Sequence, residues 1–324
     1  MIIVEGPDHT GKTALARQLS EQFSMPYSHY TKDSTYLEYL TLLCTLTSMN
    51  SVVDRWAFSE YPYARVMNRD FAFALKEWHN IVLLTLAQNP VIVLCTHRPT
   101  QSAYAEDQYL PYDRWVSCLE LYRGFFNSNQ IPFIEYDYDS GITTKSLAIL
   151  DEKRKAEISW WVPMWEGGCG CIGSPHPDYL LVAERIGPNN VNNLPFETGP
   201  TGRMLSDMLD QTKTPLGKFA VTNMVKSFRR DPRLPNEADQ QLLRTELEHL
   251  KPKVAVFMGE PSKRYGRKIA KESGIEVAGM THFGYYSHRG ITDISALCNQ
   301  WNDIIFGKEE PIEEAGHRTI ISST

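Results

Sequence analysis

The sequence lacks three features: a long apolar run, the cysteine spacing of a disulfide scaffold, and an overall excess of positive charge. No stretch approaches the ~18 consecutive apolar residues of a membrane helix, so we predict no membrane partner. The first apolar run is short and has no basic leader, which argues against a signal peptide. Six scattered cysteines indicate a reducing, cytoplasmic environment. The net charge of −6 gives no global signature of nucleic-acid binding, but it is compatible with a local basic surface.

The 324 residues contain two series of alternating strand and helix patterns. In the first half, apolar runs at 2–4, 51–54, 90–97 and 131–139 are separated by segments with apolar residues every three or four positions. This alternation predicts a parallel sheet in an α/β fold. A second series of the same kind begins near residue 179, so we predict a second α/β domain.

The composition changes between residues 150 and 175, from charged to aromatic and then to Gly-, Pro- and Ser-rich sequence. We therefore place the boundary between the two domains there. The predicted divisions are a first domain at 1–155, a linker at 156–174, a second domain at 175–308 and a polar tail at 309–324.

The N-terminal segment carries the full GxxxxGK[ST] pattern of a phosphate-binding loop, between a predicted strand and a predicted helix. Its glycines let consecutive backbone N–H groups point at phosphate oxygens, and the following helix adds its positive N-terminal end. Lys12 is expected to reach the β- and γ-phosphates of ATP, and the Thr13 hydroxyl to help hold Mg²⁺. The predicted nucleotide-binding residues are Gly6, Pro7, Asp8, His9, Thr10, Gly11, Lys12 and Thr13.

Three charged residues of this half are candidates for the chemistry. Asp54 ends an apolar strand, where it can hold Mg²⁺ or cap a helix. Arg98 follows a later strand, where a closing loop can bring its charge to the transferred group, and a surface ion pair is the alternative. Asp8 faces the acceptor side of the loop, where it can take a hydroxyl proton or brace the loop. His9 is interpreted as a bystander.

The segments IIVEGPDHTGKT and VVDRWAFSE resemble the thymidylate kinase family of P-loop kinases. The first contains an EGxDxxGKT-type loop and the second an Asp-Arg-aromatic-x-x-Ser segment, and the resemblance covers residues 1–150. It implies an ATP–Mg²⁺ phosphotransferase in which Asp8 and Arg55 work on the acceptor side. The segment after Arg98 lacks the arginine-rich lid of that family, which argues against its usual mononucleotide acceptor.

Residues 180–210 suggest a pocket for a flat base. A strand ends at Glu184, and Phe196 precedes a Gly-x-x-Gly turn, formed by Gly199 and Gly202, that opens a helix. An aromatic ring beside a glycine-lined cleft is a natural stacking surface for a base. Core packing of Phe196 is an equal alternative on composition alone.

The same stretch resembles the first motif of the uracil-DNA glycosylase superfamily, and VTNMVKS and THFGYYSHR are similar to its central and final motifs. The resemblance covers residues 175–305 and implies a three-layer α/β domain. Position by position, it implies that Glu184 positions water and that Phe196 stacks on the base. It also implies that Asn223 reads the pyrimidine edge and that His282 occupies the position of the histidine in the final motif.

The sequence also departs from the pattern of that superfamily. Ile186 interrupts the small-residue turn, Phe283 replaces the usual proline, and Ser227 stands where iron–sulfur members have a cysteine ligand. Cys169 and Cys171 alone cannot supply four ligands, so we predict no iron–sulfur cluster, and a zinc site at these two cysteines would need further ligands from distant cysteines. These changes favour base recognition over glycosidic cleavage.

Two segments of the second half are rich in basic residues. Such clusters on an acidic chain suit phosphate contacts, and solvated helix faces are the competing interpretation. Tyr285, Tyr286 and Arg289 lie beside the predicted histidine loop, where they can stack on an unpaired base. The clustered residues are Lys213, Lys218, Lys226, Arg229, Arg230 and Arg233 in the first segment and Lys251, Lys253, Lys263, Arg264, Arg267, Lys268 and Lys271 in the second.

A kinase half joined to a base-reading half suggests that the acceptor is a base within DNA. Thymine and uracil have no hydroxyl group, but 5-hydroxymethyluracil has one. The combination resembles bacteriophage 5-hydroxymethyluracil DNA kinases, whose phosphorylated product is elaborated into hypermodified thymidines that resist host nucleases. The resemblance implies a protein of the host cytoplasm and a DNA base that is flipped or single-stranded, because a base inside a duplex cannot reach such a site.

Three other functions fit parts of the sequence. A mononucleotide kinase with an inert DNA-binding appendage would phosphorylate free dTMP or 5-hydroxymethyl-dUMP. A DNA glycosylase with an ATP-binding accessory domain would release bases through Glu184 and Asn223. A non-catalytic DNA-binding protein is disfavoured by the intact phosphate loop.

Overall fold

The computed structural model describes residues 1–43, 50–104, 109–139, 171–185, 196, 199–226 and 235–307. These residues form two five-stranded sheets with helices packed on them, so the predicted α/β organisation of both halves is confirmed. Among the described helices, none combines the length and the apolar character needed to cross a bilayer.

The first sheet is entirely parallel, and its strands have the order β2-β3-β1-β4-β5. Its central strand is buried along its whole length, as expected for a strand covered by helices on both faces. Because all strands run the same way, the loops after β1, β3 and β4 meet at one edge. The strands are β1 (Ile2–Glu5), β2 (Tyr27–His29), β3 (Val52–Asp54), β4 (Val91–Cys95) and β5 (Ile134–Tyr136). The helices of this half are α1 (Lys12–Phe23), α2 (Tyr36–Leu43), α3 (Glu60–Met67), α4 (Leu75–Ala87) and α5 (Trp115–Ser128).

The second sheet has the order β10-β9-β7-β8-β6, with β6 antiparallel to β8 and the other pairs parallel. The edge strand β6 lies within the segment predicted as a linker, three residues before the predicted start of the second domain at 175. The strands are β6 (Ile172–Gly173), β7 (Tyr179–Arg185), β8 (Phe219–Val225), β9 (Val254–Met258) and β10 (Glu276–Met280). The helices are α6 (Gly199–Gln211), α7 (Glu237–Leu250), α8 (Glu260–Glu272), α9 (Phe283–His288) and α10 (Ser295–Phe306).

Helix α4 connects the two halves. Its last ten residues, 78–87, are all buried, as expected for a helix that is enclosed on every side. Nδ1 of His79 lies 2.7 Å from the Ser206 hydroxyl of α6, in a buried contact between the halves. A second contact is the 2.8 Å hydrogen bond from the Gly217 amide to the Asn129 carbonyl. One continuous apolar core includes side chains of both halves, so the two sheets form a joined unit.

Candidate functional site

Residues 6–13, which we call the phosphate loop, curl tightly between β1 and α1. Gly6 has φ 140°, and a methyl group added to it would lie 2.5 Å from the carbonyl oxygen of Cys95. Gly11, directly before α1, has φ 80°, and the exposed His9 has φ 61°. The two glycines are therefore required, one by close approach to β4 and both by backbone conformation.

The side chain of Lys12 is buried inside the phosphate loop. Its amino group donates to the carbonyl oxygen of Pro7 and lies 3.4 Å from the Thr10 hydroxyl. Burial lowers the pKa of Lys12 to about 8, and the nearby charge of Arg55 acts in the same direction. The loop thus holds a cation whose proton is less firmly bound than that of an ordinary lysine.

Asp54 lies directly beside the loop, and its two carboxylate oxygens differ in their hydrogen-bond partners. Thr13 and Tyr27 donate to Oδ2 at 2.6 and 3.0 Å, and Nδ1 of His29 lies 2.9 Å from the same atom. The side chain is fully buried, and Oδ1 has no hydrogen-bond partner among the described residues. A buried carboxylate oxygen without a partner, next to a threonine hydroxyl, suits a hard cation such as Mg²⁺.

The alternative role of Asp54 as a helix cap is not observed. The short helix that follows, Ala57–Ser59, has Trp56 at its N-cap position and no side-chain cap. Tyr27 and His29 also belong to this site and were not predicted. No sequence motif marks them, and they reach Asp54 because β2 pairs with β3 and ends level with Asp54.

Asp8 and Arg55 form an ion pair at the acceptor side of the loop. The Arg55 guanidinium donates to Oδ1 of Asp8, from a backbone with φ 65°. Tyr63 donates to the same oxygen at 2.9 Å, and the Leu110 amide donates to Oδ2 at 3.1 Å. Burial opposes ionisation, but the positive charges of Arg55 and Lys12 outweigh it and lower the pKa of Asp8. Asp8 is therefore an ionised carboxylate, with two donors on Oδ1 and one on Oδ2.

A third carboxylate, Glu5, is completely buried behind the loop and was not predicted as a site residue. Its oxygens accept hydrogen bonds from the Trp56 amide, the Ser59 hydroxyl and the Tyr122 hydroxyl at 2.9, 2.5 and 3.2 Å. Burial raises the pKa of Glu5 to about 7. This network fixes the segment after Asp54 against β1.

Two connected pockets open at this edge of the first sheet. The larger, which we call the donor cleft, has a volume of about 660 Å³ and is lined by the phosphate loop, residues 29–33 and Tyr138. The smaller, which we call the acceptor pocket, has a volume of about 50 Å³. The residues that line both are Tyr30, Thr31, Lys32, Arg55 and Tyr109.

The acceptor pocket has aromatic walls and a fixed cation. Tyr39 packs edge to face on Trp56 and Phe73, with ring centroids 4.7 and 5.4 Å apart. Arg69 makes two hydrogen bonds to the Glu60 carboxylate, at 2.6 and 3.0 Å. Aromatic walls with an oriented guanidinium suit a flat ring that carries hydrogen-bond acceptors.

Arg98 lies away from these pockets. It is exposed, its guanidinium lies 5.2 Å from the ring centroid of Tyr112, and it does not line either pocket in the described part of the chain. Its predicted role at the transferred phosphoryl group stays a prediction.

In the second half, three of the predicted base-recognition residues lie at one edge of the sheet. Glu184 is near the end of β7, Asn223 is buried in β8 opposite Ala183, and His282 follows β10. Burial lowers the pKa of His282, and the Glu184 carboxylate opposes this shift. Nδ1 of His282 accepts a hydrogen bond from the Gly284 amide at 2.9 Å, so the neutral ring carries its proton on Nε2.

Phe196 is held in a turn against the start of α6. Its backbone has φ 57°, and a methyl group added to Gly202 would lie 2.2 Å from its carbonyl oxygen. Phe283, the residue that replaces the usual proline, packs edge to face on Phe196 with ring centroids 5.5 Å apart. Phe196 is only half-buried, so part of its surface is open to a ligand.

The basic residues of the second half separate into different environments. The prediction that Lys226 contributes to a phosphate-binding surface is wrong, because its amino group is buried and donates to Glu246 and Thr222. Burial raises the pKa of Glu246, and the positive charge of Lys226 opposes this shift. Five cations of the second cluster instead line one groove of about 630 Å³ along α8: Lys263, Arg264, Arg267, Lys268 and Lys271.

Several predicted features lie outside the described residues: Ile186, Ser227, Cys169 and the basic residues Arg229, Arg230 and Arg233. Cys171 is described and its side chain is buried. Beside the histidine loop, the Arg289 guanidinium lies 4.1 Å from the ring centroid of Tyr285.

Comparison with known proteins identifies the second half. Residues 171–305 match the family model of the uracil DNA glycosylase superfamily, which confirms the resemblance inferred from the motifs. A crystal structure of the YorR protein from Bacillus subtilis, in complex with phosphorylated GDP, is similar with 21% sequence identity and a TM-score of 0.38. That similarity covers 47% of this chain and 95% of YorR. No curated protein matches the chain.

Proposed function

We propose that this chain is an ATP-dependent kinase that phosphorylates the hydroxymethyl group of 5-hydroxymethyluracil within DNA. The observation that carries the proposal is the position of Arg55, which lines both the donor cleft and the aromatic acceptor pocket. The same chain contains a uracil DNA glycosylase superfamily domain packed against this kinase-like half. Such a domain suits the recognition of a flipped or single-stranded pyrimidine.

Thr13 and Asp54 are the residues that would hold Mg²⁺. The free, buried Oδ1 of Asp54 and the Thr13 hydroxyl fit a cation that prefers oxygen ligands. A cation held by these residues would supply positive charge to the transferred phosphoryl group. Lys12 adds a second positive charge from within the loop.

On the acceptor side, Asp8 orients the hydroxymethyl group. The hydroxyl oxygen forms a bond to the γ-phosphorus as the bond from phosphorus to the ADP oxygen breaks, and the hydroxyl proton passes through Asp8 to solvent. A low pKa makes Asp8 a weak base. This is sufficient because the transition state of phosphoryl transfer is loose, so that positioning contributes more than proton abstraction.

The second domain is proposed to recognise the base and not to cleave it. Asn223 reads the pyrimidine edge, Phe196 stacks on the ring, and Glu184 and the neutral His282 complete the site. The contact between Phe283 and Phe196 occurs where the superfamily pattern has a proline, which favours a role other than base release.

The test supplies γ-labelled ATP with thymine DNA, 5-hydroxymethyluracil DNA and the free nucleotides, with a Lys12→Ala variant as control. The expected result is strong label in 5-hydroxymethyluracil DNA, weak label in free 5-hydroxymethyl-dUMP, and none in either with the variant. Label in free nucleotides alone would establish the mononucleotide kinase instead. Abasic sites that form without any label transfer would establish the glycosylase.

A further inference from the structure

Lys76, a residue of the kinase-like half, lies against the base-recognition turn of the second domain. It belongs to the first turn of α4, and a methyl group added to Gly202 would lie 3.4 Å from its Cδ atom. The same glycine contacts the carbonyl oxygen of Phe196. One turn further along the two helices, His79 and Ser206 continue this interface. The position of Lys76 is therefore fixed by packing between the two halves.

The residues shortly before Lys76 in the chain belong to the wall of the acceptor pocket. Ala72 and Phe73 line that pocket, and the amide of Ala72 donates to the Glu60 carboxylate of its wall. Three residues separate Ala72 from Lys76, so the two positions are at most about 14 Å apart. Lys76 thus belongs to the short segment that joins a wall of the acceptor pocket to the contact with Gly202 and the turn that carries Phe196.

The charge of Lys76 is not used within the described part of the protein. Its amino group makes no hydrogen bond or ion pair with a described residue, and the side chain is half-buried. The carboxylate of neighbouring Glu77 is engaged elsewhere, because it accepts from the Ala74 amide at 3.1 Å. The nearby cation Arg69 is likewise committed, to Glu60. Among the described residues, the charge of Lys76 is therefore available to a ligand at the interface of the two halves.

We propose that Lys76 binds a backbone phosphate of an unpaired DNA strand that runs from the Phe196 turn to the acceptor pocket. This inference rests on the proposed function, and it adds that both sites engage one strand at the same time. The preferred acceptor is therefore an oligonucleotide that extends beyond the reacting base.

The experiment compares Lys76→Gln, Lys76→Arg and the control Arg123→Gln, which removes a charge from the α5 surface where Arg123 pairs with Glu135. The acceptors are a single-stranded 5-hydroxymethyluracil oligonucleotide and 5-hydroxymethyl-dUMP. Loss of one charge-assisted phosphate contact is expected to lower kcat/KM for the oligonucleotide about tenfold, with no effect on the mononucleotide. Lys76→Arg restores the value because it keeps the charge.

Fluorescence anisotropy of the same oligonucleotide, without ATP, separates this inference from the proposed function. For Lys76→Gln the plot of log affinity against log salt is expected to lose about 0.7 of its slope, the contribution of one phosphate on a single strand. An unchanged slope, or equal losses for both acceptors, would overturn the role of Lys76. A wild-type protein that binds with the expected slope but transfers no label would overturn only the proposed reaction.

Discussion

The Arg55 guanidinium, which lines both the donor cleft and the acceptor pocket, forms an ion pair with the buried carboxylate of Asp8. In the proposed reaction, the ionised Asp8 supplies the fixed negative charge that orients the acceptor hydroxyl. Asp8→Asn is expected to lower kcat about 100-fold and to leave ATP affinity nearly unchanged, which steady-state kinetics and calorimetry measure.

Tyr63→Phe is the matched control for Asp8→Asn. It removes one hydrogen bond to Asp8 and keeps the carboxylate, so kcat is expected to fall less than about tenfold. If Asp8→Asn retains full kcat, or if Tyr63→Phe costs as much, the negative charge of Asp8 has no special role.

Asp54 supplies the second prediction. Asp54→Asn keeps a side chain of the same shape but lowers its affinity for a divalent cation. The wild-type protein is expected to bind ATP more tightly when Mg²⁺ is added, and the variant is expected not to show this increase in affinity. The kcat of the variant is expected to be lower by at least about 100-fold. Tyr27→Phe removes one donor to the same carboxylate and is expected to retain the Mg²⁺ effect. Titration calorimetry with and without Mg²⁺ measures both, and an unchanged Mg²⁺ effect in Asp54→Asn would exclude the site.

From the lowered pKa of Lys12, we expect nucleotide binding to depend on pH. Its pKa is lowered to about 8, so above that pH the nucleotide-free protein loses the charge that attracts phosphate. ATP affinity is expected to fall between about pH 7.5 and 9.5, because binding must then be accompanied by proton uptake. Lys12→Arg is expected to bind with a flat profile, because a guanidinium stays protonated throughout this range. Parallel profiles for the two proteins would contradict this explanation.

The sequence predicted the phosphate loop and its partner Asp54 because both depend on local pattern. A loop with this glycine pattern, after a buried strand and before a helix, adopts a characteristic curled conformation. Neighbouring parallel strands place their carboxyl ends together. Thr13 and Asp54, 41 residues apart, therefore meet as expected. Glu184, Asn223 and His282 were assigned instead from the resemblance to the uracil-DNA glycosylase superfamily, and they lie at one edge of the second sheet.

The acceptor pocket and the interface were not predictable in this way. Tyr39, Arg69 and Tyr109 come from separate segments that only tertiary folding brings together. Residues 81–87 of α4 are nearly all apolar, so they show no helical period to detect, and their burial explains that composition. Lys226 was counted as a surface charge because its partner Glu246 is 20 residues away in another element.

The buried His79 between the two halves makes an acid-sensitive contribution to the stability of the joined fold. Burial lowers its pKa to about 4, so the native state excludes a proton that the unfolded chain takes up near pH 6.5. His79 alone therefore costs about 2 kcal/mol of stability between pH 7 and pH 5, while the raised pKa of Glu5 acts in the opposite direction in wild type and variants alike. His79→Gln removes this titration and retains a partner for Ser206, so its unfolding free energy is expected to fall less over the same range. His249→Gln, which changes an exposed ring, is expected to behave like the wild type. Urea unfolding at the two pH values measures all three proteins, and equal losses in wild type and His79→Gln would contradict the prediction.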